Sequence, residues 1–170
     1  MKNVYSKRRT VPLRRKREGK TDYKLRLGLL KSGVPRLVIR KSNAHTSAQI
    51  IAYEPQGDKV LVSAHSRELK KLGYTQSTSN TPAAYLVGAL IAKRAQEKGV
   101  TEAVADFGLQ VLPKGGKLYA VLKGAIDAGL QVPVDEEVLP AQERISGEHI
   151  AHEKAQDTRS EFEKVKGTLL

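Results

Sequence analysis

The sequence predicts an α/β domain with a mixed sheet, an antiparallel three-strand meander plus a further parallel strand, packed with helices. A basic N-terminal arm precedes it and an acidic, helical extension follows. Three observations carry this expectation. Two short segments alternate apolar and polar residues with period two, a third short strand-like segment follows them, and the order then runs helix, strand, helix. The charge is lopsided: residues 2–41 hold 15 Lys and Arg against Glu18 and Asp22, a net of +13, whereas residues 42–170 hold 15 basic and 16 acidic side chains. From Asp135 onward the composition shifts again, with nine acids and five bases over residues 135–170. The expected divisions are an arm with a short helix over 1–33, one core domain over 34–134, and a helical, partly mobile extension over 135–170.

Residues 1–20 contain Arg8-Arg9 and Arg14-Arg15-Lys16-Arg17 with few apolar anchors, so an extended arm is expected in the free protein. Thr21 is the expected N-cap of a short helix ended by Gly33, with Tyr23, Leu27 and Leu30 on one face. Residues 35–41 form the first strand, Leu37 and Ile39 facing one way and Arg36, Val38 and Arg40 the other. Ser42-Asn43 makes a tight turn, since Asn tolerates left-handed backbone angles. In the second strand, 44–53, Ala44, Thr46, Ala48, Ile50 and Ala52 share a face opposite His45, Ser47, Gln49, Ile51 and Tyr53. The third strand is 59–65. Ser66 caps a short helix over 67–72, stopped by Gly73. Thr81 and Pro82 open a helix to about residue 98 whose first half is apolar nearly all round, so it is expected to be buried. A fourth strand over 100–107, a loop over 109–116 and a helix over 118–128 burying Leu118, Val121, Leu122 and Ile126 complete the body. In the extension Pro140 starts a helix through Ile145 and Ile150, and Phe162, Val165 and Leu169 make only a thin apolar stripe.

Several function classes fall away. The chain has no cysteine, which excludes disulfides and thiolate metal sites. Its longest apolar run, 83–92, is too short to cross a bilayer. No apolar segment follows the basic start, so a secretory signal is not expected, and Pro12 interrupts any transit-peptide helix. There is no internal repeat. Gly115-Gly116-Lys117 resembles part of a phosphate loop, but Val111 and Leu118 stand where Gly and Ser or Thr are needed. His149, His152 and Glu153 run in the order H-x-x-H-E, which is neither zinc-hydrolase pattern. No cofactor is implied. The enzyme alternative is a metal-dependent nuclease built on Asp106, with Glu54, Asp58 and Asp127 as the other core acids.

The binding signals are stronger. A dense Lys/Arg run matches a polyanion partner, because each neutralised phosphate releases a counterion. A solvated tail is the bland alternative, and an anionic membrane surface the alternative partner. Arg36, Arg40, His45, Ser47 and Gln49 share one hairpin side, which suits irregular RNA if that side is open, or is simply a solvated sheet face. Asn80 and Thr81 at the start of the long helix offer either a phosphate seat or a plain cap. Lys114 and Lys117 are placed to touch phosphate from a flexible loop.

The run P-R-L-V-I-R-K-S-N-A-H-T-S-A-Q over 35–49 resembles the signature of the family of large-subunit ribosomal protein eighteen. Three further stretches resemble its archaeal and eukaryotic branch: K-T-D-Y-K-L-R over 20–26, N-T-P-A-A-Y-L-V-G-A-L over 80–90 and E-R-I-S-G-E-H-I over 143–150. They occur in the family's order, and the resemblance spans roughly residues 5–152. The C-terminal extension favours the archaeal type. The resemblance implies a sandwich like that of small-subunit ribosomal protein eleven and a non-catalytic structural role in the large subunit. It implies binding of 5S rRNA and its attachment to 23S rRNA in the central protuberance. Large-subunit protein five and protein twenty-one e are the implied protein neighbours. By the same resemblance the RNA contacts fall on Arg8, Arg9, Arg14, Arg15, Lys16, Arg17, Lys20, Tyr23, Arg26, Arg36, Arg40, Asn43, His45 and Gln49.

Overall fold

Alternation in the first two strands dictates a sheet with one dry face, and the computed structural model has it. The structure describes residues 11–150 and 152–170, with the backbone alone over 152–155. Strands β1 (Arg36–Lys41), β2 (Thr46–Ala52) and β3 (Lys59–His65) form the antiparallel meander. Strand β4 (Val104–Asp106) adds in parallel to β1, giving the order β3-β2-β1-β4. The inner face, with Leu37, Ile39, Ala48, Ile50, Val62 and Ala64, is buried. β4 is shorter than the 100–107 expected. Residues 101–103 leave β1 and bridge residue 131 instead, through Ala103 N–H to the Gln131 carbonyl at 3.0 Å and Gln131 N–H to the Thr101 carbonyl at 2.9 Å.

Helix α3 (Thr81–Glu97) lies against the inner face and is buried continuously from Thr81 to Ala92. Its cap is Asn80 rather than Thr81: the Asn80 Oδ1 accepts from Ala83 N–H at 2.8 Å, and Thr81 is already helical. Helix α4 (Lys117–Asp127) crosses α3 at two glycines. A Cβ at Gly88 would strike the Val121 carbonyl oxygen, and one at Gly124 would strike that of Tyr85. The two backbones therefore approach more closely than any side chain allows. The Tyr85 hydroxyl donates to Asp127 Oδ2 at 2.8 Å from this crossing.

The C-terminal region is more integrated than its thin stripe suggests. Helix α5 (Gln142–Ser146) leads to α6 (His152–Leu169), which packs on α3. Phe162, Val165 and Leu169 are buried, and the Phe162 ring sits 5.5 Å from that of Tyr85. Glu161 accepts from Thr75 N–H at 2.7 Å and its hydroxyl at 2.6 Å, and the Lys93 ammonium donates to the Thr168 carbonyl at 2.7 Å. Three apolar residues at helical spacing suffice here because α3 supplies the rest of the contact surface.

The N-terminal segment departs from expectation in two ways. Residues 14–17 are not extended but form a helical turn, α1 (Arg14–Arg17). Helix α2 (Tyr23–Leu30) is capped by Asp22, not Thr21, through bonds to Lys24 N–H at 2.8 Å and Leu25 N–H at 3.2 Å. Its expected apolar face is loose, for no residue of α2 is buried. At the β1–β2 turn no left-handed Asn is needed. Residues 42–45 form a wider loop closed by Ser42 N–H to the His45 carbonyl at 2.7 Å, and every described residue with positive φ is a glycine.

Candidate nucleic-acid interface

The outer sheet face is where charge and topology meet. The pairing puts Arg36, Val38 and Arg40 of β1 beside Ile51, Gln49 and Ser47 of β2. On the other side, the parallel register sets Asp106 against Val38, between the two arginines. Arg36 Nη1 donates to Asp106 Oδ2 at 2.7 Å, and Arg40 Nη2 to Asp106 Oδ1 at 3.1 Å. Arg40 Nη1 also donates to the Asp106 carbonyl at 2.6 Å. From the β2–β3 loop, Asp58 accepts from Arg36 Nη2 at 2.7 Å and from Arg26 Nη2 of α2 at 2.8 and 2.9 Å. The result is an alternating chain: Arg26, Asp58, Arg36, Asp106, Arg40.

This corrects the expectation of an open arginine face. Arg36 is only 3% exposed, and its Nε has no hydrogen-bond partner among the described residues. A buried guanidinium is tolerable only because two carboxylates neutralise it. Arg36 therefore acts as framework, and its surface is closed to a polyanion. Burial pushes the Asp106 carboxyl up, but its bonds from Arg40, Arg36 and the Gly108 N–H together hold it below the ordinary carboxylate value. The same geometry removes the nuclease alternative, since guanidinium and amide donors already occupy both Asp106 oxygens. Among the described residues no three His, Asp or Glu side chains cluster as metal ligands.

Arg40 and the arm keep accessible charge. The Arg40 side chain is 42% exposed and lines a cleft of about 380 Å³ between α2 and the sheet, together with Arg15, Lys20, Arg26 and Leu25. Arg14, Arg15, Lys16 and Arg17 are all exposed. Arg14 pairs with Glu18 at 2.7 Å, Lys20 with Glu18 at 2.9 Å, and Arg15 Nε donates to the Thr21 hydroxyl at 2.8 Å. One glutamate among five cations leaves the segment strongly positive. Arg8 and Arg9 lie outside the described residues. Tyr23 is half-buried on α2, and Gln49 is half-buried on the outer face.

At the far end of the hairpin Asn43 is exposed, whereas His45 is half-buried in a polar joint. Its Nδ1 lies 3.2 Å from the Ser66 hydroxyl and 3.1 Å from that of Thr78. Those hydroxyls in turn bond the hairpin backbone, Ser66 accepting from Thr46 N–H and Thr78 donating to the Ala44 carbonyl. Desolvation, then the nearby His65, Arg67 and Lys70 charges, lower the His45 pKa, which favours the neutral ring. Beside it, exposed Arg67, Lys70 and Lys71 make a second basic patch that the sequence reading missed. Their spacing on one short turn, Ser66–Leu72, was the available signal.

Two other expected sites separate from this surface. The start of α3 is no phosphate seat: Thr81, Pro82 and Ala83 are buried, and Asn80 is engaged with Ala83 and with the Tyr74 hydroxyl at 2.8 Å. The cap alternative is the one realised. Burial first of all pushes the Tyr74 hydroxyl up to about 12, against the opposing bond from Asn80. Lys114 and Lys117 are exposed on the loop before α4, with Lys114 3.9 Å from Glu137.

Residues 7–102 match the model of the family described as ribosomal large subunit proteins 60S L5 and 50S L18. The chain belongs to this family of large-subunit ribosomal proteins. It is 57% identical over 147 residues to the large ribosomal subunit protein uL18 of Caldivirga maquilingensis, covering 86% of this chain and 71% of that one. The archaeal type expected from the extension is thus supported, and the chain is a structural, non-catalytic constituent of the cytoplasmic ribosome. Among the described residues no helix is long and apolar enough to cross a membrane. The family match takes in the arm from residue 7, the meander and α3, but ends before Asp106.

Proposed function

We propose that this ribosomal protein binds 5S rRNA and helps attach it to 23S rRNA in the central protuberance, with large-subunit proteins five and twenty-one e as neighbours. The observation that carries this is the exposed run Arg14, Arg15, Lys16, Arg17 and Lys20 beside the Arg40 cleft. In this reading the segment up to residue 33 supplies phosphate contacts, and the body over 34–134 fixes register through Arg40, Gln49, Asn43 and His45. Rigid polar groups on a sheet suit bases and 2′-hydroxyls, while the arm suits the backbone. Arg26 contributes at the cleft wall, and Lys114 and Lys117 at the periphery.

The test is a salt titration of 5S rRNA binding by the parent and by a variant with Arg14, Arg15, Lys16 and Arg17 replaced by Ala. Each lost phosphate contact flattens the log–log salt slope by roughly 0.7–0.9, so a change of about three is expected. An unchanged slope would remove the arm from the interface. Equal affinity for duplex DNA at matched salt would reduce the protein to a general polyanion binder.

A further inference from the structure

Asp58 stands in an awkward place for a polyanion site. Cations dominate the cleft between α2 and the sheet, yet three carboxylates also line it, those of Asp22, Asp58 and Asp106. Two are accounted for. Asp22 caps α2, and Asp106 joins β4 to Arg36 and Arg40 of β1. Asp58 remains, with its side chain 23% exposed. A carboxylate in such a cleft repels phosphate, so by charge alone it weakens binding.

What Asp58 holds is α2. No residue of that helix is buried, and Leu25 and Leu27 are 45% and 57% exposed, so apolar packing does little to seat it. Both oxygens of Asp58 accept from Arg26 Nη2, at 2.8 and 2.9 Å. Among the described residues no other hydrogen bond or ion pair joins residues 11–33 to the sheet or to the helices behind it. Asp58 in turn has a rigid backing. Its Oδ2 accepts from Arg36 Nη2 at 2.7 Å, and Arg36 is buried and bonded to Asp106. The link also reaches the arm. At the start of α2 the Thr21 hydroxyl accepts from Arg15 Nε at 2.8 Å, and Lys20 N–H closes on the Arg15 carbonyl at 2.9 Å. The seat of α2 therefore sets where the cations of α1 stand relative to Arg40.

We infer that Asp58 is a positioning residue for RNA binding: through Arg26 it seats α2 against the sheet and so holds the arm cations beside Arg40. This rests on the reading of the arm and the Arg40 cleft as the RNA surface. Asp58 itself touches no RNA. Its contribution is preorganisation, since an arm already in place loses less freedom on binding. Repulsion and positioning predict opposite signs for the effect of removing the charge.

Asp58→Asn adds one unit of positive charge to the cleft. It is nevertheless expected to bind 5S rRNA about threefold to tenfold more weakly than the parent at matched salt. The log–log salt slope should stay within about 0.5 of the parent's, because no phosphate contact is lost. Hydrogen exchange over residues 23–30 is expected to rise about fivefold or more, while that of β2 and α3 stays within about twofold. The double variant Arg26→Gln, Asp58→Asn should bind no more weakly than Arg26→Gln alone, since the second change breaks a link already gone. Equal or tighter binding by Asp58→Asn, unchanged exchange over α2, or additivity of the two changes overturns the inference. Arg26→Gln leaves both partners of Arg36 in place, and its exchange over α2 decides the matter if Asp58→Asn does not melt cooperatively. Equal parent affinity for 5S rRNA and duplex DNA would overturn the rRNA assignment alone, and exchange and the double variant would still judge Asp58.

Discussion

Arg36 on the first strand and Arg14 to Arg17 on the arm come from the same basic quarter of the chain, and they do opposite work. Arg36 is buried, bonded at 2.7 Å to each of two carboxylates, and joins β1 to β4 and to the β2–β3 loop. The arm arginines stand in water with one glutamate among them. Position decides the difference. In a strand of a four-stranded sheet a long cation must find partners on its neighbours or be expelled, whereas an arm with few apolar anchors leaves its cations to an outside anion. Net charge alone therefore overstates the binding surface. Arg40, with one end on Asp106 and its side chain 42% exposed, belongs partly to each class.

The largest test of this contrast is Asp106→Ala. It leaves the Arg36 charge short of a buried partner, and a loss of roughly 3–5 kcal/mol is expected from urea unfolding at unchanged slope. A loss under about 1 kcal/mol would mean that Arg36 is less dependent on its partners than its burial implies.

Acid comes next. The Asp106 pKa is depressed by folding, so the folded state binds fewer protons there than the unfolded chain, whose Asp titrates near about 3.9. Its contribution is full above that value and fades as pH falls through the lower folded pKa. The stability gap between the parent and Asp106→Asn is thus expected to narrow below about pH 4; a constant gap would assign the bond's contribution to something other than charge.

Arg26→Ala should matter less. Its pair with Asp58 is about a third exposed on the arginine side, so screening limits the expected loss to under about 1 kcal/mol. Smallest is the effect of the four-Ala arm variant on stability, expected within about 0.5 kcal/mol by thermal or urea melting despite its large effect on RNA binding. A substantial destabilisation would place the arm in the fold and erase the contrast.

Much of the fold was readable because periodicity survives in one dimension. The alternation of Leu37 and Ile39 with Val38 and Arg40, and the Thr81–Ala92 apolar run, state their burial directly. Caps were readable only to within a residue: Asn80 and Thr81, or Thr21 and Asp22, each offer a side-chain oxygen able to accept from a free N–H, and backbone geometry chooses between them. Of the candidate site, the exposure of Arg14 to Arg17 and of Asn43 was legible in the sequence. The engagement of Arg36, Asn80 and Thr81 was not, because each is claimed by a partner remote in sequence or by the helix it begins. The loop before α4 was legible only as a loop, since nothing in the sequence signals that the Gln110 side chain bonds the Lys41 backbone at the end of β1.

Local pattern and composition were enough, then, for the α/β class, the meander, the buried central helix and the basic arm, while four motif stretches carried the family resemblance. Tertiary structure alone decided which cations are available. Asp106 lies 70 residues from Arg36 in the chain, and only parallel pairing of β4 with β1 brings its carboxylate between Arg36 and Arg40. The same holds for Gly88 and Gly124, whose meaning appears only where two helix backbones meet too closely for a Cβ. Periodicity reports which face of an element is dry; it carries no information on which distant group will lie across from it.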